Sequence, residues 1–201
     1  MRSASAGSRA RAFLARRLRR TRLLHLLFVI GAVASPLAGC GPSSVTLVAA
    51  GDIASCTSTA DSRTADLVGS IGGQIATLGD NAYERGTLGE FQYCWAPTWG
   101  RYDRRVHPSP GNHEYLSLAG GYFDYFGSRA GPRGSGYYHY DLGAWRVLSM
   151  NSEANIPAQV RWLSMVAAGR DCVLAYWHRP FRSSGPHGSG CRGRAPLAGR
   201  P

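Results

Sequence analysis

What most constrains the fold is a recurring pair: a short apolar run with an acid or a histidine at its carboxyl end. Val45 to Ala50 is almost continuously apolar and ends in Gly51-Asp52, and Gln74 to Leu78 ends in Gly79-Asp80. Such a run, without polar alternation, suits a strand buried on both faces of a parallel sheet. Between the two, the spacing predicts a helix with Asp61 as its cap, Ala65, Leu67, Val68 and Ile71 on one side, and Gly72-Gly73 as its stop. Strand, helix, strand makes a βαβ unit, and ligands of open α/β sheets collect at the carboxyl ends of the strands.

Further along, Arg105 to Pro108 reads as a weak strand that leads through Ser109-Pro110 into Gly111-Asn112-His113-Glu114-Tyr115. Tyr137 to Tyr140 and Trp145 to Met150, separated by Asp141-Leu142-Gly143-Ala144, read as a hairpin rich in aromatic and β-branched residues. A helix is expected from Pro157 to Ala168, with Val160, Leu163 and Val166 inward. Cys172 to Trp177 is then another buried strand, ending in His178-Arg179-Pro180. Four strand ends thus present Asp52, Asp80, Asn112 and His178, which are hard oxygen and imidazole donors of the kind a dinuclear metal centre uses.

Composition narrows the alternatives. The 201 residues, 44% of them hydrophobic, suffice for one packed domain. The formal charge of +11 invites a nucleic-acid reading, but eight arginines and no acid lie within residues 1–39, and residues 41–171 hold ten arginines against all twelve acids. The part expected to fold is near neutral, so no nucleic-acid-binding surface is expected.

Residues 1–39 read as a secretory signal: arginines up to Arg22, nine apolar or small residues from Leu26 to Ala34, then Leu37-Ala38-Gly39-Cys40. The apolar run is far short of the roughly 20 residues a membrane span needs. Leu-Ala-Gly-Cys resembles the lipobox of bacterial lipoproteins, which implies acylation of Cys40 and a membrane anchor on the extracytoplasmic side of the cell envelope. Arg16-Arg17 and Arg19-Arg20 leave twin-arginine export open, and an ordinary soluble secreted protein is the alternative. Residues 40–44 are the anchor and spacer, 45–188 the domain, and 189–201 a basic Gly/Pro/Arg tail that reads as disordered. In an exported protein Cys56, Cys94, Cys172 and Cys191 can oxidise, and without a C-x-x-C spacing a thiolate zinc site is disfavoured.

Taken in order, Gly51-Asp52, Gly79-Asp80-Asn81-Ala82-Tyr83, Gly111-Asn112-His113-Glu114 and Tyr176-Trp177-His178 resemble the motifs of the calcineurin-like metallophosphoesterases. The second block is similar to the purple acid phosphatase branch. The resemblance covers about Val45 to Gly188 and rests on the ordered set rather than on any one block. It implies an α/β fold, a two-sheet sandwich flanked by helices, and a phosphate ester substrate. It also implies two divalent or mixed-valence metal ions, drawn from iron, zinc and manganese. Asp80 would bridge the ions, Asp52 and Tyr83 would hold the first, and Asn112 and His178 the second. His113 would stabilise the transition state or protonate the leaving oxygen, with a metal-bound hydroxide as nucleophile.

His187, in the loop after His178, sits where related phosphatases place a substrate-facing histidine. His25, His107 and His139 read as structural. Glu114 and Asn151 are placed either to support the ligands or to serve packing and turns. Within the expected fold Cys56 and Cys94 follow the Asp52 and Asp80 strand ends, so both lie near one sheet edge and can staple adjoining loops. The sequence departs from the family in one respect: the later Gly-His-x-His block, which normally gives each metal one more ligand, is absent. The expectation is therefore a domain lacking its C-terminal part, either a weakened enzyme or a non-catalytic metal-binding envelope lipoprotein.

Overall fold

A computed structural model describes residues 44–180. The expected signal peptide at 1–39, Cys40, His187, Cys191 and the basic tail lie outside the described residues. Within them the chain is mixed α/β, with three small sheets. Strand β1 (Leu47–Ala50) leads through β2 (Ala54–Ser55) and helix α1 (Ala60–Ser70) to β3 (Gln74–Thr77), and β1 and β3 pair in parallel with Val48 opposite Ile75. Strand β4 (Ala82–Tyr83) pairs in parallel with β2, and β5 (Val106–His107) joins β3 on its other side.

The second half supplies helices α3 (Asn112–Tyr115) and α4 (Gly120–Phe126), after the three-residue α2 (Leu88–Glu90). A hairpin of β6 (Tyr138–Leu142) and β7 (Trp145–Ser149) follows, with Leu142 opposite Trp145 across a two-residue turn. The chain then crosses through α5 (Ile156–Val166) to β8 (Val173–Tyr176), which lies parallel to β7. Ala76 of β3 packs against Val147 of β7 and Tyr176 of β8, so the two three-stranded sheets meet through that cluster. No helix among the described residues is long and apolar enough to cross a membrane.

Several expectations about burial need correcting. The central strand β3 is buried as its composition demands, but β1 and β8 are edges of their sheets and only partly covered, with Leu174 37% exposed. An apolar run reports what a strand can bury, not which neighbour arrives. In α1, Ala65 and Val68 face inward while Leu67 is 62% exposed, because a residue two positions from Ala65 lies on the far side of a helix with 3.6 residues per turn. Asp61 is not the cap. Thr59 holds that position, and Asp61 is buried in the first turn, where the Thr98 hydroxyl donates to its Oδ2 at 3.1 Å. Helix α5 turns Val160, Leu163 and Val166 only half inward, and its one fully buried side chain is Gln159.

The largest core is built on aromatic side chains between the expected elements. Phe91 and Trp95 in a π-helical turn, Trp99 at the start of a 3₁₀ segment, and Tyr122 and Phe126 of α4 are almost wholly buried. The Trp95 ring meets Phe126 edge-on at 5.6 Å, and Phe91 stacks on Tyr125 at 5.2 Å. Ile53, Ala54 and Ala82, from the loops beyond β1 and β3, pack into the same cluster. Truncating one of these aromatics typically costs about 3–5 kcal/mol, and here the loss falls directly beneath those loops.

Candidate metal centre

The loops after β1 and β3 run side by side beyond the sheet. The amide N–H of Asp52 donates to the Gly79 carbonyl at 3.2 Å, that of Ile53 to Asp80 at 2.9 Å, and that of Ala54 to Asn81 at 3.0 Å. Asp52 and Asp80 both have left-handed backbone, with φ of 56° and 50°. For a residue with a Cβ this costs about 1–3 kcal/mol and persists only where surrounding bonds enforce it.

Glu114 is one enforcer. Its carboxylate is fully buried and accepts four backbone N–H bonds, from Asp80 at 3.0 Å and Gly111 at 2.7 Å on one oxygen, and from Asn81 at 2.8 Å and Ala82 at 3.3 Å on the other. Burial pushes its carboxyl up to about 7, against the downward pull of these donors. Gly111 is required by contact, since a Cβ there would collide with the Asp80 carboxylate and amide. Gly79 is required twice over: its φ is +82°, and a Cβ would lie 2.5 Å from that of His178.

Around Asp80 the side chains converge. The Tyr83 hydroxyl lies 2.6 Å from Asp52 Oδ1 and 3.1 Å from Asp80 Oδ2, so two carboxylates compete for one phenolic proton. Burial and these two carboxylates push the phenol far above its ordinary range. The His178 Nδ1–H donates to the Leu78 carbonyl at 2.8 Å, the tautomer that satisfies this contact. Its Nε2 then faces Asp80 Oδ2 at 3.3 Å and Asn112 Oδ1 at 3.1 Å. In neutral His178 all three of these atoms are lone-pair donors, and no hydrogen lies among them.

Burial works against a charge on His178, but the Asp80 carboxylate outweighs it and pushes the ring up to about 9. Burial likewise raises Asp80, and the hydrogen bonds and charges of His178 and His113 outweigh it, leaving that carboxyl below its ordinary value. A proton on Nε2 lies between the Asp80 and Asn112 oxygens and donates to them.

His113 completes the cluster. Its backbone N–H donates to Asp80 Oδ1 at 2.9 Å, its Nδ1 lies 2.6 Å from the Glu84 carbonyl, and its Nε2 is 3.8 Å from Asp80 Oδ2. Asp52, Asp80, Tyr83, Asn112, His113 and His178 are therefore all brought together. Counting only His, Cys, Asp and Glu, no group of three or more among the described residues could hold a metal ion; the other oxygens here are the Asn112 amide and the Tyr83 phenol. A cleft of about 550 Å³ opens beside Asp52 and His178, walled by Leu78, Tyr176 and Trp177.

Cys56 and Cys94 are joined in a disulfide with a Cα–Cα distance of 5.0 Å. This ties the end of β2 to the π-helical turn. His107 stacks on Tyr140 at 3.7 Å and contacts Gln74, and His139 lies exposed on β6. Glu90 has a role the sequence reading missed. It accepts from the amides of Glu84, Arg85 and Thr87 and so fixes the loop whose carbonyl holds His113. Thr87-Leu88-Gly89-Glu90 is a capping-box pattern, so the signal was present. No family model matches the chain, and no curated protein or solved structure matches it.

Proposed function

We propose that this chain is a metal-dependent phosphoric ester hydrolase with a dinuclear centre, of the calcineurin-like metallophosphoesterase type and its purple acid phosphatase-like branch, with the two-sheet sandwich of that type. It is exported and held on the extracytoplasmic side of the envelope by a lipid on Cys40. The observation that carries the reading is the convergence of Asp80 Oδ2 at 3.3 Å and Asn112 Oδ1 at 3.1 Å on His178 Nε2, next to two carboxylates sharing the Tyr83 phenol. That donor set fits hard or borderline cations.

Asp80 would lie between two ions, with Asp52 and Tyr83 on one side and Asn112 and His178 on the other. When bound, the ions supply Lewis acidity toward a phosphoryl oxygen and lower the pKa of water. The chain itself supplies position and a proton. Glu114 and the paired loops hold Asp52 and Asp80 in their strained conformations. With His113 Nδ1 set against the Glu84 carbonyl at 2.6 Å, Nε2 is the ring atom left on the Asp80 side. That atom would stabilise the transition state or pass a proton to the departing alcohol oxygen. Trp177 and Tyr176 offer apolar walls for the organic part of the ester.

A second reading, a non-catalytic or degenerate metal-binding envelope lipoprotein, draws support from the sequence holding no Gly-His-x-His block, which would leave each ion one imidazole short. The test strips the full chain of metal, restores it with iron, zinc or manganese, and measures turnover of an aryl phosphate monoester and a bis-aryl diester. Metal-dependent turnover of either supports the hydrolase. Retained metal without turnover favours the second reading, and neither metal nor turnover refutes both.

A further inference from the structure

Two of the elements assembled at the centre come from distant parts of the chain. Helix α3 carries Asn112 and His113, and the residues after β8 carry His178. Between them lies Asn151, a residue outside every ligand motif just beyond the end of β7, which binds the first directly and the second through Ser152 and Glu153, the two residues that follow it. Asn151 is fully buried, and each polar atom of its side chain is satisfied. Its Nδ2 donates to the Tyr115 hydroxyl at 2.7 Å and to the Ser135 carbonyl at 2.8 Å, and its Oδ1 accepts from the Glu153 amide at 2.9 Å. Its backbone is clamped as well, the N–H donating to Gln159 Oε1 at 2.9 Å and the carbonyl accepting from Gln159 Nε2 at 2.6 Å.

Two of these contacts, those to Tyr115 and Glu153, lead toward the centre. Tyr115 is the last residue of α3, one helical turn from Asn112. On the other side, the Arg179 amide donates to Ser152 Oγ at 3.2 Å and the Arg179 guanidinium to Glu153 Oε1 at 2.7 Å, so the loop that begins at Asn151 holds the residue next to His178. The ladder between β7 and β8 continues to the same level, with Met150 N–H donating to the Tyr176 carbonyl at 2.9 Å. A saturated buried amide has one geometry, since any rotation leaves donors or acceptors unpaired away from water.

We infer that Asn151 is a positioning residue that sets the separation of the Asn112-His113 turn from His178. This rests on the proposed hydrolase reading for its functional meaning, but the positioning itself can be tested without metal. Asn151→Asp keeps the shape and replaces the amide nitrogen with an oxygen, which repels the Ser135 carbonyl and forces the Tyr115 hydroxyl to reverse.

The experiment labels histidine Cε1 with ¹³C in the full, metal-free chain and compares wild type with Asn151→Asp and Tyr115→Phe. The expected result is displaced or doubled signals for His113 and His178, with those of His107 and His139 unmoved. On loading with manganese, the affinity of one of two sites falls by about tenfold to 100-fold, and kcat falls in similar proportion while KM holds. If Asn151→Asp does not fold, Tyr115→Phe removes a single acceptor and reads the same signals. Unmoved His113 and His178 signals in a folded variant overturn the inference. So does uniform movement of all four with a lowered unfolding midpoint, the mark of a purely structural residue. A wild type that takes up none of iron, zinc and manganese refutes the hydrolase reading, while the histidine signals still decide whether Asn151 positions the two rings.

Discussion

Replacing Glu114 by Gln probes how the centre is held, because it removes charge and half the acceptor capacity at constant shape. Each carboxylate oxygen accepts two backbone N–H groups, at 2.7 and 3.0 Å on one and at 2.8 and 3.3 Å on the other. The amide keeps one oxygen and turns an NH₂ toward the other pair, so two buried N–H groups lose their acceptor and face a donor. Hydrogen bonds to charged groups contribute about 1.5–3 kcal/mol each, and burying a neutral amide in place of a carboxylate returns part of that loss, leaving a net cost of about 2–4 kcal/mol. With a urea m-value of about 2 kcal/mol/M, the middle of the usual range, the unfolding midpoint should fall by roughly 1–2 M. Urea titration measures the total, and amide hydrogen exchange at Asp80, Asn81, Ala82 and Gly111 locates it. A midpoint shift equivalent to less than about 0.5 kcal/mol, with these four amides still protected, would refute the argument that Glu114 ties the two loops together.

Other expectations follow from single contacts. Reducing the Cys56–Cys94 disulfide, which spans 38 residues, should destabilise the domain by up to about 4 kcal/mol, and unchanged thermal unfolding in reductant would contradict this. His107 is pushed down to about 4 by burial, with Arg129 adding to the effect. Below about 6.5 the unfolded chain therefore takes up a proton that the folded chain refuses, and stability falls as pH drops from about 6.5 toward 4. His107→Gln should lose part of that slope in urea titrations across the interval, and equal slopes in the two proteins would disprove it. Gly79→Ala places a Cβ against His178 at a φ of +82°, which should cost about 1–3 kcal/mol in thermal unfolding and displace the His178 ring signal. An unmoved ring signal would show that the close approach is not required.

The sequence carries some of this clearly and the rest not at all. Strands β1 and β3 and the hairpin of β6 and β7 are visible because period and turn chemistry are local. The Asp and His at strand ends are visible because they sit in short, ordered motifs. The exposure of β1 and β8 is not visible, since it depends on which element pairs with an edge. The aromatic core is hard to read for another reason: Phe91, Cys94, Trp95 and Trp99 recur at helical spacing, but Pro97 interrupts the run and the chain folds there as π-helical and 3₁₀ turns rather than as one α-helix. Glu114 could be singled out within Gly-Asn-His-Glu, but its four backbone partners come from two loops some thirty residues apart in sequence, a relation no local pattern encodes.

The most direct test of the proposed dinuclear centre is metal content by elemental mass spectrometry in three forms of the full chain, the wild type, Asp80→Asn and His113→Ala, after equilibration with zinc or manganese and removal of free ion. Asp80 is placed between two ions and His113 on neither, so the account predicts about two ions per chain in the wild type, loss of both in Asp80→Asn, and full occupancy in His113→Ala with turnover reduced by about 10²–10⁴. Equal occupancy in all three forms, or a wild type that retains no ion, would contradict it.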